Sequence, residues 1–78
     1  MKKVSLVQMK EKRKGVVVAI DAGSALLNRF MSMGIYKGRE ITKVSQFALG
    51  GAVAIKVGRS ILALGHGMAS KIIVETHD

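Results

Sequence analysis

The chain has 78 residues and a mass of 8.3 kDa, which suits one small domain and leaves no length for a second core. Hydrophobic residues make up 49% of it and charged residues 23%, which excludes the polar, charge-rich class of disordered chains. The net charge is +8 at pH 7, and no cysteine is present to form disulfides or thiolate metal sites. We therefore expect residues 1–78 to form a single domain in a reducing compartment, the cytoplasm.

Membrane-spanning and secreted classes are not expected either. The longest uninterrupted apolar run, Val16 to Ile20, is far shorter than the roughly 20 residues that a membrane-spanning helix needs. The N-terminal lysines are followed by Gln8 and Lys10 and not by the apolar stretch of a secretory signal. The sequence therefore predicts neither a membrane span nor export.

The first half of the chain predicts a strand and then a helix. Gly15 precedes the β-branched run 16–20, which is typical of a central strand. Ser24 is then the expected N-cap of a helix that runs to about Met33. Five side chains at helical spacing predict the core face of this helix: Leu26, Leu27, Phe30, Met31 and Met33. Gly34 and Ile35 predict a Schellman ending, in which Ile35 contacts Phe30.

The second half predicts β-structure joined by tight turns. Gly38 suits the third position of a type II turn over residues 36–39. Gly58-Arg59 predicts a type II′ hairpin, and residues 65–70 predict a short loop or a single helical turn. The expected strands are Arg39–Val44, Val53–Val57, Ile61–Leu64 and Lys71–Glu75. Five short strands and one early helix predict a mainly β fold, a small closed or nearly closed barrel.

Catalytic and metal-binding chemistry is poorly represented in the sequence. Two histidines, five acidic residues and no cysteine do not suggest a nucleophile with its base and orienting group, so we do not expect an enzyme. Glu75 and His77 would share one face of a strand, but tight transition-metal sites need three or four ligands. We expect His66, which lies between two glycines, to be an exposed loop residue and not a metal ligand. We therefore predict no metal site and no cofactor.

Three segments taken together resemble a known family. They are the helix and turn Leu27-x-Arg29-Phe30-x-x-Met33-Gly34-Ile35-x-x-Gly38, the run Gly50–Gly58, and Ile61-Leu62-Ala63-Leu64-x-x-Gly67-Met68-Ala69-x-x-Ile72-Ile73-Val74. In this order they resemble the ferrous iron transport protein A family, FeoA, over about Leu6 to Glu75. The resemblance implies an SH3-like β-barrel with a helix inserted after the first long strand.

The same resemblance implies a function through protein contact. It points to a small cytoplasmic accessory protein of bacterial ferrous iron uptake, an adapter that acts on FeoB, a membrane transporter with a cytoplasmic GTP-binding domain. We separately expect no cofactor, and a monomer or a weak homo-oligomer. Many relatives have proline in place of Lys37 and of Ala52, so both turns should be looser here.

Seven residues are candidates for contact with a partner. Arg29, Tyr36 and Arg39 lie on or just after the polar side of the helix, and Tyr and Arg are residue types that anchor interfaces. Met33 and Met68 lie near turns, where soft side chains line adaptable grooves or fill core gaps. Phe47 and Leu49 lie in a polar-poor loop that either forms a contact surface or covers a barrel end.

Two further interpretations of the charge remain open. The basic segment Lys10–Lys14 is either an electrostatic handle for an acidic partner or a solvated loop that keeps the protein soluble. A basic small barrel that binds nucleic acid is the alternative function. That function needs aromatic stacking platforms, and three aromatic residues are too few for a convincing one, so we do not expect a nucleic-acid partner.

Overall fold

The computed structural model of the protein describes residues 1–47 and 50–77. The elements in chain order are β1 (Lys2–Ser5), β2 (Lys14–Ile20), α1 (Ser24–Ser32), β3 (Glu40–Gln46), β4 (Val53–Val57), β5 (Ser60–Leu64), α2 (His66–Ala69) and β6 (Ile72–Thr76). Within the described residues, these six strands form one antiparallel sheet in the order β1-β6-β2-β3-β4-β5. The mainly β prediction, with a helix after the first long strand, is confirmed.

The sheet bends around one hydrophobic core in the manner of an SH3-like barrel. Strands β2, β3, β4 and β6 contribute fully buried side chains, and Phe30 of α1 lies among them with no exposed surface. The pairing register shifts between Val17 and Ala19 in β2 and between Lys43 and Ser45 in β3. Such bulges bend and twist a strand, which helps a short sheet to enclose its own core.

Local turn chemistry agrees with the sequence at three glycines. Gly34 has a φ of +86°, its N–H donates to Met31 O, and the Ile35 N–H donates to Phe30 O, which is the predicted Schellman ending. Gly38 has a φ of +96° in the turn closed by Arg39 N–H to Tyr36 O. Gly58 has a φ of +59° at the tip of the β4–β5 hairpin. All three predicted turns are confirmed.

Two predictions about the first half of the chain are corrected. Gly23, and not Ser24, is the N-cap of α1: its backbone is extended and its carbonyl accepts the Leu27 N–H, with no side-chain cap. There is also a sixth strand, β1, which the sequence pattern did not predict. Its lysines look like a solvated tail, but Lys3 lies directly opposite Glu75 on β6. Pairing with β6 therefore makes a strand of a segment with little strand character.

A buried lysine holds the segment between β1 and β2 in place. Lys43 on β3 is only 2% exposed, and its Nζ donates to Val7 O at 3.2 Å, Met9 O at 2.6 Å and Gln46 Oε1 at 2.7 Å. Three acceptors match the three donors of an ammonium group. Burial lowers the pKa of Lys43, and the nearby Glu11 carboxylate opposes this in part. The sequence gives no sign of this arrangement.

Candidate functional site

An apolar groove runs between α1 and the second half of β2. It has a volume of about 320 Å³ and is lined by Ala19, Ile20, Leu27, Met31, Tyr36 and Lys37. Leu27 and Met31 are four residues apart, so they lie one above the other on one flank of α1. Met31 is 55% exposed, whereas Phe30 beside it is fully buried. The helix therefore presents an apolar flank to solvent beside its core face.

The turn after α1 fixes one wall of this groove. The Gly38 N–H donates to Val17 O at 2.7 Å and the Val17 N–H donates to Arg39 O at 2.9 Å, so the turn is bonded to β2. Tyr36 is 41% exposed at the start of the turn. The Arg39 guanidinium carbon lies 5.7 Å from the centroid of the Tyr36 ring, and Arg39 Nη1 donates to the Tyr36 hydroxyl at 3.1 Å. The two side chains thus form a hydrogen-bonded pair with a cation–π contact.

A cationic cleft lies on the other side of this pair. It has a volume of about 350 Å³ and is lined by Lys14, Arg39, Glu40, Thr42, Lys56 and Gly58. The pairing register places Lys14 opposite Thr42 and Thr42 opposite Lys56, so these three residues form one row across β2, β3 and β4. Residues directly opposite each other point to the same face of a sheet. The cleft thus combines three cationic side chains, one hydroxyl and one carboxylate.

The tyrosine–arginine pair joins the groove to the cleft. Tyr36 lines the apolar groove, and Arg39 lines the cationic cleft. A Cβ on Gly58 would lie 2.7 Å from Arg39 Nη2, so the bare backbone of this glycine makes room for the guanidinium. We call the groove, the Tyr36–Arg39 pair and the cleft together the docking face.

The other candidate contact residues lie elsewhere. Arg29 is exposed on α1, and helical spacing of 100° per residue puts it on the flank away from Leu27 and Met31. Met33 and Met68 are half-buried and pack against the core. Phe47 is 60% exposed after β3, and its N–H donates to Ala52 O at 3.0 Å. Leu49 lies outside the described residues. Among the six candidates within the described residues, the contacts in the structure join Tyr36 to Arg39.

Several residues of the docking face were not predicted from the sequence. Helical spacing assigned Met31 and Leu27 to the core, but Met31 is largely exposed and Leu27 half-buried. A helical projection centred on the buried Phe30 could have identified the exposed position of Met31, because it places Met31 100° away from Phe30 around the helix. Lys14 and Lys56 carry no such signal, since only the strand register brings them into one row.

Two other classes of site are absent from the described part of the chain. Among residues 1–47 and 50–77, no group of three or more His, Cys, Asp or Glu side chains is placed to hold a metal ion. Within the same ranges, no helix has the length and apolar character needed to cross a membrane.

Comparison with known proteins places the chain in a family. A sequence profile described as the FeoA domain matches residues 4–76. A Methanocaldococcus jannaschii protein with the provisional name Fe(2+) transport protein A is 38% identical over 66 residues, which cover 85% of this chain and 78% of that protein. A crystal structure of an iron uptake regulatory protein (FeoA) is 31% identical and has a TM-score of 0.85, with 96% of this chain and 97% of that chain covered. The NMR structure of a FeoA-like protein from Clostridium acetobutylicum is 28% identical and has a TM-score of 0.84, with 100% and 91% covered. The chain therefore belongs to the FeoA domain family.

Proposed function

We propose that this protein is an accessory protein of ferrous iron uptake that binds the cytoplasmic GTP-binding domain of a FeoB-type transporter through the apolar groove. Family membership supports the role in iron uptake, since the names of its relatives refer to Fe(2+) transport and to regulation of iron uptake. Contact with a cytoplasmic domain requires the same compartment, so the proposal places the protein in the cytoplasm.

The exposed apolar flank of α1 is the observation that carries this proposal. Met31 and Tyr36 are 55% and 41% exposed, and they border a groove with predominantly apolar walls. Methionine and tyrosine are enriched at protein interfaces, where methionine adapts to irregular partners and tyrosine buries a large area with few rotatable bonds. Burying such side chains against a partner is favourable by roughly 25 cal/mol per Å² of apolar surface.

The docking face is suited to binding and not to bond chemistry. It offers an aromatic ring, a flexible thioether, an arginine fork and three lysines. These are groups that recognise shape and charge. We therefore propose an adapter that acts by contact and without catalysis of its own.

The test is a titration of the isotope-labelled full-length protein with the purified GTP-binding domain of the transporter. We expect NMR shifts at the amides of Leu27, Met31 and Tyr36. Met31→Gln keeps the side-chain length but is polar, and we expect it to weaken binding about tenfold, or ~1.4 kcal/mol. Val44→Gln is the matched control, because Val44 is an exposed apolar residue that lines neither the groove nor the cleft.

A parallel titration with a pool of single-stranded RNA tests the alternative function. Shifts that occur only with RNA and disappear at raised salt would overturn the adapter proposal, because phosphate contacts weaken steeply with ionic strength. An equal loss of binding in Met31→Gln and Val44→Gln would also contradict it.

A further inference from the structure

We propose that the cationic cleft binds an extended acidic segment of the partner protein, and that it forms the salt-sensitive half of the docking face. The identity of the partner rests on the proposed function. The class of ligand, a run of carboxylate side chains, follows from the cleft itself.

Two of the cations in the cleft form no ion pair with the described residues. In the part of the chain that the structure describes, Lys14 and Lys56 have no ion-pair partner. Among the described residues that line the cleft, Glu40 supplies one carboxylate against three cations, which leaves a net charge of +2 when all four groups are ionised. Unpaired cations on a concave surface attract an anionic partner and accelerate its association.

Arg39 is already held in position for this task. Its guanidinium makes a cation–π contact with the Tyr36 ring and donates one hydrogen bond to the Tyr36 hydroxyl at 3.1 Å. A guanidinium has five N–H donors in a fixed fork that matches a carboxylate, and this bond uses one of them. A side chain that is ordered before binding loses less conformational entropy when the partner arrives.

The layout of the cleft favours a peptide over a compact anion. Lys14 and Lys56 lie on β2 and β4, two strand spacings apart, so their Cα atoms are separated by roughly 9.5 Å. Carboxylates on one face of an extended chain recur about every 7 Å, and the flexible side chains of Lys14 and Lys56 can each reach a different one of them. The Glu40 carboxylate would repel a dianion such as phosphate more strongly than a single carboxylate.

Apolar residues border the row of charges at two points. Val16 lies opposite Glu40 and is 39% exposed, and Ile61 lies opposite Lys56 and is 60% exposed. A peptide with both acidic and apolar side chains can use this mixture, whereas a single-stranded nucleic acid would need stacking platforms that the row lacks. The cleft is also continuous with the apolar groove through the Tyr36–Arg39 pair.

The first experiment uses a probe that does not depend on the proposed function. The labelled protein is titrated with a capped peptide of alternating glutamate and valine, and separately with the glutamine–valine peptide and with inorganic phosphate. We expect the glutamate peptide to shift the amides of Thr42, Lys56 and Gly58. We expect the glutamine peptide to cause no shift and phosphate to bind more weakly than the glutamate peptide.

Variants that remove either a positive or a negative charge from the cleft provide the internal test. Lys14→Ala and Lys56→Ala should each weaken binding of the glutamate peptide about threefold, the scale of an exposed ion pair. Glu40→Gln removes the one negative charge from the cleft and should strengthen binding about threefold. Lys71→Ala is the matched control, since this exposed lysine lies beside the far end of β2 and should leave the affinity unchanged.

The second experiment asks whether the partner domain uses the cleft. Raising the salt from about 0.05 M to about 0.5 M should weaken the complex about fivefold in the wild type and in Met31→Gln, but hardly at all in the Lys14→Ala/Lys56→Ala double variant. The proposal is overturned if Glu40→Gln weakens peptide binding, if phosphate binds as tightly as the peptide, or if the double variant keeps the wild-type salt dependence. Peptide binding without any binding of the partner domain would instead refute the proposed function and leave the acidic-ligand site standing.

Discussion

The apolar groove and the cationic cleft meet at the Tyr36–Arg39 pair, yet they are built in different ways. The groove combines one flank of α1, where Leu27 and Met31 lie four residues apart, with the end of β2 and the turn that follows the helix. The cleft depends on three strands, whose register brings Lys14 and Lys56 to either side of Thr42 although they are distant in sequence. All residues that line the groove lie within the continuous segment 19–37, whereas the row of charges in the cleft forms only when three strands pair in the right register.

The largest effect is expected at the buried Lys43, which is next in sequence to Thr42 of the cleft. Lys43→Met leaves the carbonyl oxygens of Val7 and Met9 without their donor, and we expect the free energy of unfolding at neutral pH to fall by about 2 to 3 kcal/mol. The segment that Lys43 holds leads directly into Lys14, so NMR shifts should extend into the cleft and leave the groove residues Leu27 and Met31 unchanged. Urea unfolding and an amide spectrum measure the two effects.

The stability of the same variant relative to the wild type should depend on pH. Because the pKa of Lys43 is lowered in the folded protein, the unfolded chain binds more protons between that value and the ordinary lysine pKa of ~10.4. The contribution of Lys43 to stability is therefore fully present above that ordinary pKa, and it is lost as the pH falls through the lowered pKa. The stability difference between the wild type and Lys43→Met should then widen as the pH rises through this interval. Lys71→Met, at an exposed position, should follow the wild type at every pH; a constant difference for Lys43→Met would contradict the assignment.

A smaller effect is expected at the hairpin tip. Gly58→Ala places a side chain at a φ of +59° and a Cβ 2.7 Å from Arg39 Nη2, so we expect a loss of about 1 to 2 kcal/mol of stability and a displaced guanidinium. Binding of the acidic peptide should weaken, while contacts at the groove persist. Gly67→Ala is the control, because a Cβ added there would have nothing within 4 Å and the φ of this glycine is not positive. Equal losses of peptide affinity in Gly58→Ala and Gly67→Ala would contradict the role of the hairpin tip in positioning Arg39 in the cleft.

The smallest effect is expected for Tyr36→Phe, which should weaken binding at the cleft and leave binding at the groove unchanged. Tyr36→Phe keeps the ring that lines the groove and removes the hydroxyl that accepts from Arg39. We expect binding of the acidic peptide to weaken by about 0.5 kcal/mol, roughly twofold, and the groove contacts to remain. Isothermal titration calorimetry with the peptide measures this weakening. If Tyr36→Phe instead abolished the NMR shifts that the GTP-binding domain causes at the groove, the hydroxyl would be needed to position the ring.

Much of the local structure could be predicted from the residues because it depends on near neighbours. Gly34, Gly38 and Gly58 each occupy a left-handed backbone position that a particular turn requires, and all three turns occur as expected. The resemblance carried by residues 27–38, 50–58 and 61–74 agrees with the family match over residues 4–76. Of the candidate contact residues, Tyr36 and Arg39 were brought together because only one turn separates them.

The amino-acid sequence by itself determined the turns, the end of the helix and the family, because each depends on residue types at fixed short spacings. The tertiary structure alone decided that β1 forms against β6, that Lys43 is buried under three oxygen acceptors, and that Lys14 and Lys56 share one cleft. Each of these depends on strands distant in sequence coming into register. Since a shift of one residue in register would turn every side chain of a strand to the other face of the sheet, no local pattern can specify such a contact.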